Sequence, residues 1–212
     1  HASMVTLPTL LPAYAGITLL EEVNHIEQVM QPEHPSLFII GGAKFETKMP
    51  LVEKYLASYD RVFVSGALAN DIMLADGLEV GSSLVSDVSL VGAPFLTNPK
   101  LIRPVDLIVE SARGVRVARV DDVQADEKIT DMGPATVAQL APEIQAAKTI
   151  LWNGPLGLYE NGVPGSTQAV AKLIASSDAM SVLGGGDTVA AVEELGLNDK
   201  FGFVSIGGGA ML

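Results

Sequence analysis

The 212-residue sequence has no cysteine, which excludes a disulfide framework and any thiolate metal site and is compatible with a cytoplasmic setting. Its three histidines, His1, His25 and His34, are too scattered to build an HExxH zinc motif. Positive charge is scarce: 13 Lys and Arg stand against 25 Asp and Glu, for a net charge of −12. That balance lacks the basic footprint of a nonspecific nucleic-acid binder. It also repels polyanions globally, so an anionic ligand needs local lysines and backbone amides. No P-loop pattern G-x4-G-K-S/T, no G-x-G-x-x-G fingerprint and no G-x-S-x-G elbow occurs. Charge is absent from Met4 to Leu20, but these 17 residues contain Pro8 and Pro12 and no basic flank. A membrane span or signal peptide is therefore not expected. The stretch reads instead as a buried segment entering a core-facing helix. Low-complexity linkers and sequence repeats are missing too.

Glycine and apolar residues dominate what remains. The chain is 48% apolar, with a mean hydropathy of +0.35 that excludes disorder. Five times an apolar, strand-like run ends in glycine. The runs are Leu37–Ile40 into Gly41-Gly42, Val62–Val64 into Ser65-Gly66, and Ile150–Trp152 into Asn153-Gly154-Pro155. The last two are Val182-Leu183 into Gly184-Gly185-Gly186 and Val204–Ile206 into Gly207-Gly208-Gly209. Glycine permits φ > 0 and lets a ligand approach the backbone without meeting a Cβ. At the C-terminal ends of parallel strands, such turns line the crevice where open α/β sheets bind ligands.

Helical stretches separate these runs. One is predicted over Ala13–Met30, with Leu19, Val23, Ile26 and Met30 facing the core and Glu21, Glu22 and Glu27 outward. A second carries Leu51, Val52, Tyr55 and Leu56; a third covers Leu68–Ala75 and stops at Gly77. A fourth begins at Pro134 and runs over Val137 and Leu140 toward Ala147, with a kink expected at Pro142. The last two carry Ala169/Val170/Leu173/Ile174 and Val189/Ala190/Val192/Leu195. Residues 79–101 look irregular, and Val105–Val109 and Val115–Val120 look like strands. The alternation predicts a doubly wound, mostly parallel sheet with helices on both faces, a Rossmann-like three-layer domain.

Several residues at the glycine ends suit anion chemistry. Gly184-Gly185-Gly186-Asp187-Thr188 precedes a helix, whose N-terminal amides favour negative charge. Asp187 has two readings, a helix cap or a single-carboxylate ligand for Mg²⁺. Lys44 and Lys48, four residues apart beside Gly41-Gly42, present two ammonium groups on one helix face. A solvated face explains them as readily as a phosphate site. Trp152, just before the loop Asn153–Glu160, is expected in the core, and Glu160 is either a surface acid or a ribose acceptor.

Gly41-Gly-Ala-Lys-Phe-Glu-Thr-Lys48, Leu151-Trp-Asn-Gly-Pro-Leu-Gly-Leu-Tyr-Glu160, Gly184-Gly-Gly-Asp-Thr188 and Gly207-Gly-Gly-Ala210 resemble, in order and spacing, the motifs of phosphoglycerate kinase. The resemblance covers essentially the whole chain. It implies the C-terminal, nucleotide-binding half of a two-domain glycolytic enzyme that moves a phosphoryl group between 1,3-bisphosphoglycerate and ADP. Residues 1–35 then resemble the interdomain segment and helix, and 36–212 the nucleotide-binding domain. By the same resemblance Lys48 steadies the transferring phosphoryl group, Lys44 contacts nucleotide phosphates and Asp187 is the Mg²⁺ ligand. Gly184, Gly185, Gly186 and Thr188 resemble phosphate contacts, and Gly207, Gly208 and Gly209 donate amides to the phosphoryl group. Gly42, Ala43, Gly66, Ala67, Leu84, Asn153, Pro155, Gly157 and Leu158 match the adenosine pocket, and Glu160 matches the ribose acceptor. ADP or ATP with Mg²⁺, and a separate phosphoglycerate-binding domain, are the implied partners; the chain is expected to be monomeric.

The departures are specific. Ser65-Gly66-Ala67 stands where the family commonly has three glycines, which narrows the wall beside the adenine. Ile129-Thr130 stands where a Gly-Leu pair is usual and is left out of the site set. Ile206 and Met211 replace a hydroxyl residue on either side of Gly207–Ala210. The competing class is a stand-alone nucleotide-binding module without catalysis.

Overall fold

The computed structural model describes residues 5–43, 45–158 and 165–212. Lys44 and Glu160, both expected in the site, lie outside the described residues. Six strands form one sheet: β1 (Ser36–Ile40), β2 (Arg61–Val64), β3 (Leu101–Ile102), β7 (Thr149–Asn153), β8 (Met180–Gly184) and β9 (Phe203–Val204). Their order is β3-β2-β1-β7-β8-β9 and every pairing is parallel. β4 (Asp106–Ser111), β5 (Gly114–Arg119) and β6 (Lys128–Met132) form a second, antiparallel sheet in the order β5-β4-β6. β6 was not among the predicted strands, and its recognition corrects the reading of that region.

A parallel sheet covered on both faces needs apolar residues at both parities of each strand. Leu37, Ile39, Phe63, Ile150, Trp152 and Leu183 enter one core. Phe38, Ile40, Val62, Val64, Leu151 and Val182 enter the other. The first core is closed by α5 (Pro134–Ala146), α6 (Ser166–Ala175) and α7 (Gly186–Glu194), through Leu140, Ile144, Val170, Ile174 and Val192. The small sheet packs there as well, through Leu107, Val109 and Met132. The second core is closed by α3 (Phe45–Ser58) and α4 (Gly66–Ala75), through Val52, Tyr55, Leu56, Leu68 and Ile72. Each such side chain, fully buried, contributes about 1.5–3 kcal/mol. Trp152 is 1% exposed, and its Nε1 donates to the Gly154 carbonyl at 2.9 Å, so it is a core residue that also fixes the loop after β7. Pro142 lies inside α5, which continues through it.

The N-terminal region departs from expectation. Residues 5–20 are exposed, not buried: they comprise α1 (Leu7–Leu10), an irregular stretch and the start of α2 (Ile17–Met30). α2 begins four residues later than the predicted Ala13 and is rotated relative to the predicted face. Leu19, Val23 and Met30 are exposed, whereas Glu22 and Val29, seven residues apart on one helix line, are buried. The buried carboxylate is satisfied: Glu22 Oε2 accepts from Ser205 Oγ at 2.8 Å and Oε1 accepts from the Ile206 amide at 2.6 Å. Among the described residues no helix is long and apolar enough to cross a membrane.

Candidate functional site

From β1 the sheet grows through β2 to β3 on one side; β7, β8 and β9 extend the other. Loops leaving β1 and β7 therefore diverge, opening a crevice at their C-terminal ends. Gly41 follows β1 directly, and its amide donates to the Asn153 carbonyl at 2.9 Å. Gly154 has φ +89°, and a Cβ there would collide with the Gly41 carbonyl oxygen. A Cβ on Gly41 would in turn strike the Pro155 carbonyl and lie 2.6 Å from Ser65 Oγ. Without side chains, the two strand ends meet backbone to backbone.

Lys48, in the first turn of α3, points into this junction. Its Nζ donates to the Gly41 carbonyl, and a Cβ on Gly42 or Gly154 would lie 2.9 Å or 2.8 Å from it. The ammonium thus sits in a cradle of glycine backbone at the switch point. Adjoining it is a cleft with about 810 Å³ of empty space, part of it open to solvent. Gly42 and Ala43 after β1, Gly66 and Ala67 after β2, and Pro155, Gly157 and Leu158 after β7 line this cleft. Leu84 and the exposed carboxylate of Asp187 line it as well. Ser65 is buried, with its hydroxyl donating to the Ile40 carbonyl at 3.3 Å, so of the two departures there only the Ala67 methyl enters the wall.

Asp187 lies in the first turn of α7 but makes no capping hydrogen bond; the N-cap is Gly185, with φ +96°. The cap reading therefore has no side-chain bond behind it. The carboxylate complements the helix dipole and faces the cleft. A single cleft-facing carboxylate suits Mg²⁺, which keeps several waters and takes its other oxygens from phosphates. The described residues contain no cluster of three or more His, Cys, Asp or Glu. The first amides of α7 have no intrahelical acceptor and favour an anion.

Other predicted residues stand apart from the cleft wall. Thr188 is fully buried, and its Oγ1 has no partner among the described residues. Gly184 packs against Met211 Sδ, and a Cβ on Gly185 would lie 3.1 Å from the Gly154 amide. Both are small for packing reasons, while Gly186 has open space beside it. Gly207 caps a short 3-10 helix, Gly208–Met211, which contains Gly208 and Gly209 and is fixed on three sides. The Gly207 amide donates to Ser205 Oγ at 3.1 Å, Asn153 Nδ2 donates to the Gly208 carbonyl at 3.3 Å, and Met211 is buried in the core. Met211 therefore substitutes apolar anchoring for a hydroxyl.

Sequence reasoning missed a whole wall. Lys128, Ile129, Thr130, Asp131 and Met132, the residues of β6, all line the cleft, as does Asn70 of α4. The Ile129-Thr130 pair, set aside earlier, belongs to that wall. The Leu158 amide donates to the Thr130 carbonyl at 2.7 Å, joining the β7 loop to β6. Asp131 accepts from the Ser166 amide at 2.8 Å at the start of α6, and its carboxylate fills the space beside Gly157. Ile129 and Met132 are three residues apart, off the two-residue alternation of a strand, because the pairing with β4 is irregular there, so no strand pattern was available.

These features define a doubly wound α/β domain with its ligand crevice at the sheet's switch point and anion-suited helix and lysine groups beside it. The family model for phosphoglycerate kinase matches residues 1–212, and the chain belongs to that family. The phosphoglycerate kinase of Rubrobacter xylanophilus is 40% identical over 221 residues, covering 100% of this chain and 56% of its own length. That of Chloroflexus aurantiacus is 37% identical, with 100% and 57% covered. The solved phosphoglycerate kinase of Coxiella burnetii superposes with a TM-score of 0.84 at 36% identity, covering 91% of this chain and 53% of that one. The enzyme from Pyrococcus horikoshii gives 0.82 at 26% identity, covering 99% and 56%. The chain spans about half the length of the curated relatives it matches.

Proposed function

We propose that this chain is the nucleotide-binding half of a phosphoglycerate kinase, which transfers a phosphoryl group between 1,3-bisphosphoglycerate and ADP to give 3-phosphoglycerate and ATP in glycolysis. One observation carries the reading: the Lys48 ammonium sits among the Gly41, Gly42 and Gly154 backbone at the switch point, beside a cleft lined by Gly42 and Asp187.

Phosphoryl transfer needs little covalent chemistry from a protein; positioning and charge stabilisation dominate. The Lys48 ammonium stabilises charge on the transferring group. Gly208 and Gly209 offer amides to that group, and the N-terminus of α7 holds the nucleotide phosphates. The adenosine occupies the wall of Ala43, Gly66, Ala67, Leu84, Pro155, Gly157 and Leu158. Asp187 would hold Mg²⁺, which when bound neutralises phosphate charge. Lys44 and Glu160 keep the roles that the family resemblance implies, on the phosphates and the ribose. The acyl-phosphate side comes from the family's other domain, which these 212 residues do not cover, and the exposed apolar side of α2, with Leu19, Leu20 and Val23, suits contact with it. On this reading the chain acts in the cytoplasm and has no turnover alone, because losing the in-line partner forfeits on the order of 7–11 kcal/mol of barrier lowering.

A coupled ATP-forming assay tests this. The isolated chain should be inactive, and adding the complementary N-terminal half should restore turnover. Robust turnover by the chain alone contradicts the half-enzyme reading; nucleotide binding that no complement converts to turnover favours a non-catalytic module.

A further inference from the structure

We infer that Asn70 is a positioning residue for nucleotide binding, acting through Leu84; the inference rests on the nucleotide reading of the cleft. Leu84 contributes to the cleft wall, yet its side chain is 57% exposed, so burial does not hold it in place. Nor does regular structure, because residues 82–86 belong to neither helix nor strand. Side-chain bonds from neighbouring elements hold them instead. Asn70 Nδ2 donates to the Leu84 carbonyl at 2.9 Å. The next residue on α4, Asp71, uses Oδ1 to accept from the Ser86 amide at 2.9 Å and the Ser86 hydroxyl at 3.2 Å. On the other side, the Ile129 amide donates to Ser83 Oγ at 2.8 Å, tying the segment to β6.

Asn70 and Asp71 are each 4% exposed, so both polar side chains are committed to the interior. Burying an amide without hydrogen bonds is unfavourable, and the Leu84 carbonyl is the one acceptor its nitrogen reaches among the described residues. The bonds at Ser83 and Ser86 bracket Leu84, and the Asn70 bond holds its carbonyl, leaving it little freedom to swing out of the wall. Asn70 also lines the cleft itself, so the clamp and the wall it holds are contiguous. The glycine strand ends and the α7 N-terminus share none of these bonds. Loss of Asn70 should therefore weaken the grip on the nucleoside and leave the grip on phosphates intact.

Calorimetry with Mg-ADP and with Mg-pyrophosphate, on the wild-type chain, Asn70→Ala, Leu84→Ala and the double variant, tests the clamp. Asn70→Ala should weaken ADP binding about fivefold, the worth of one hydrogen bond, with pyrophosphate affinity unchanged. Leu84→Ala should show the same split. The double variant should bind ADP no more weakly than Leu84→Ala, because Asn70 acts through Leu84. Asn70→Leu, near the same size, uncharged and without the donor, provides the same readout if the alanine variant folds poorly. Amide exchange over residues 82–86 should quicken in the Asn70 variants. Unchanged ADP affinity in both Asn70 variants, additive losses in the double variant, or an equal loss for pyrophosphate would overturn the role of Asn70. A wild-type chain that binds no ADP would overturn the nucleotide reading itself, and the clamp with it.

Discussion

The cleft has two walls built by different means. One consists of strand ends from the large sheet, where a side chain on Gly41 or Gly154 would collide with the opposing backbone and one on Gly42 would crowd the Lys48 ammonium. The other, an inserted wall, consists of Leu84, β6 and the Leu158 end of the β7 loop, held by hydrogen bonds such as Asn70 to Leu84, Ile129 to Ser83 and Leu158 to Thr130. The first wall is fixed by excluded volume and the second by replaceable hydrogen bonds. Substitutions on the glycine wall should therefore fail sharply, and those on the inserted wall should fail by degrees.

The largest contrast should come from Lys48→Ala against Leu158→Ala, measured as turnover with the complementary half present. Removing the cradled ammonium should lower turnover about a hundredfold or more with little change in nucleotide affinity, as for a group used mainly in the transition state. Truncating Leu158, 46% exposed on the cleft wall, should mainly raise KM. Equal losses in both variants would erase the distinction.

Stability offers the next contrast. Gly154→Val forces a branched side chain into φ +89° against the Gly41 carbonyl, and should cost about 3 kcal/mol or more in urea unfolding. Leu158→Ala should cost less than about 1 kcal/mol, in line with its exposure. A mild Gly154→Val would show that the strand ends have room to separate.

Asp187→Asn separates ligand from cap. With no capping bond to lose, thermal stability should hold, while magnesium-dependent ADP affinity should fall about tenfold. Lost stability with unchanged affinity would assign Asp187 to the helix alone.

The smallest effect is a pH dependence on the inserted wall. Glu127 precedes β6 and is held at about 2, below its ordinary 4.5, by the Arg116 guanidinium and the Gln124 amide. A carboxylate with a depressed folded value adds stability that is fully present above about 4.5 and lost as pH falls toward about 2. Glu127→Gln should flatten the stability profile across that acid window, read by thermal melts between those limits. An unchanged acid limb would mean that this pair does not couple the small sheet's stability to pH.

The same division explains what the sequence disclosed. All five glycine-terminated runs became parallel strands or their exits, because a close backbone approach leaves glycine in the sequence. Trp152 was legible as core for the same local reason. The inserted wall was illegible: Asn70, Thr130 and Asp131 are ordinary residues that meet the cleft only through contacts distant in sequence. α2 was misread because hydrophobic spacing favoured Leu19, Val23 and Met30. The decisive interactions are instead the bonds from Ser205 and Ile206 to Glu22, more than 180 residues away in the chain. Those bonds offset the cost of burying a carboxylate, and no helical pattern reports them.

Isothermal titration of the isolated chain with Mg-ADP and, separately, with 3-phosphoglycerate tests the central claim most directly. Saturable one-to-one binding of Mg-ADP with no heat from 3-phosphoglycerate is the predicted result, since on the proposed reading the cleft is the nucleotide's site alone. Saturable binding of 3-phosphoglycerate, or the absence of Mg-ADP binding, would contradict it.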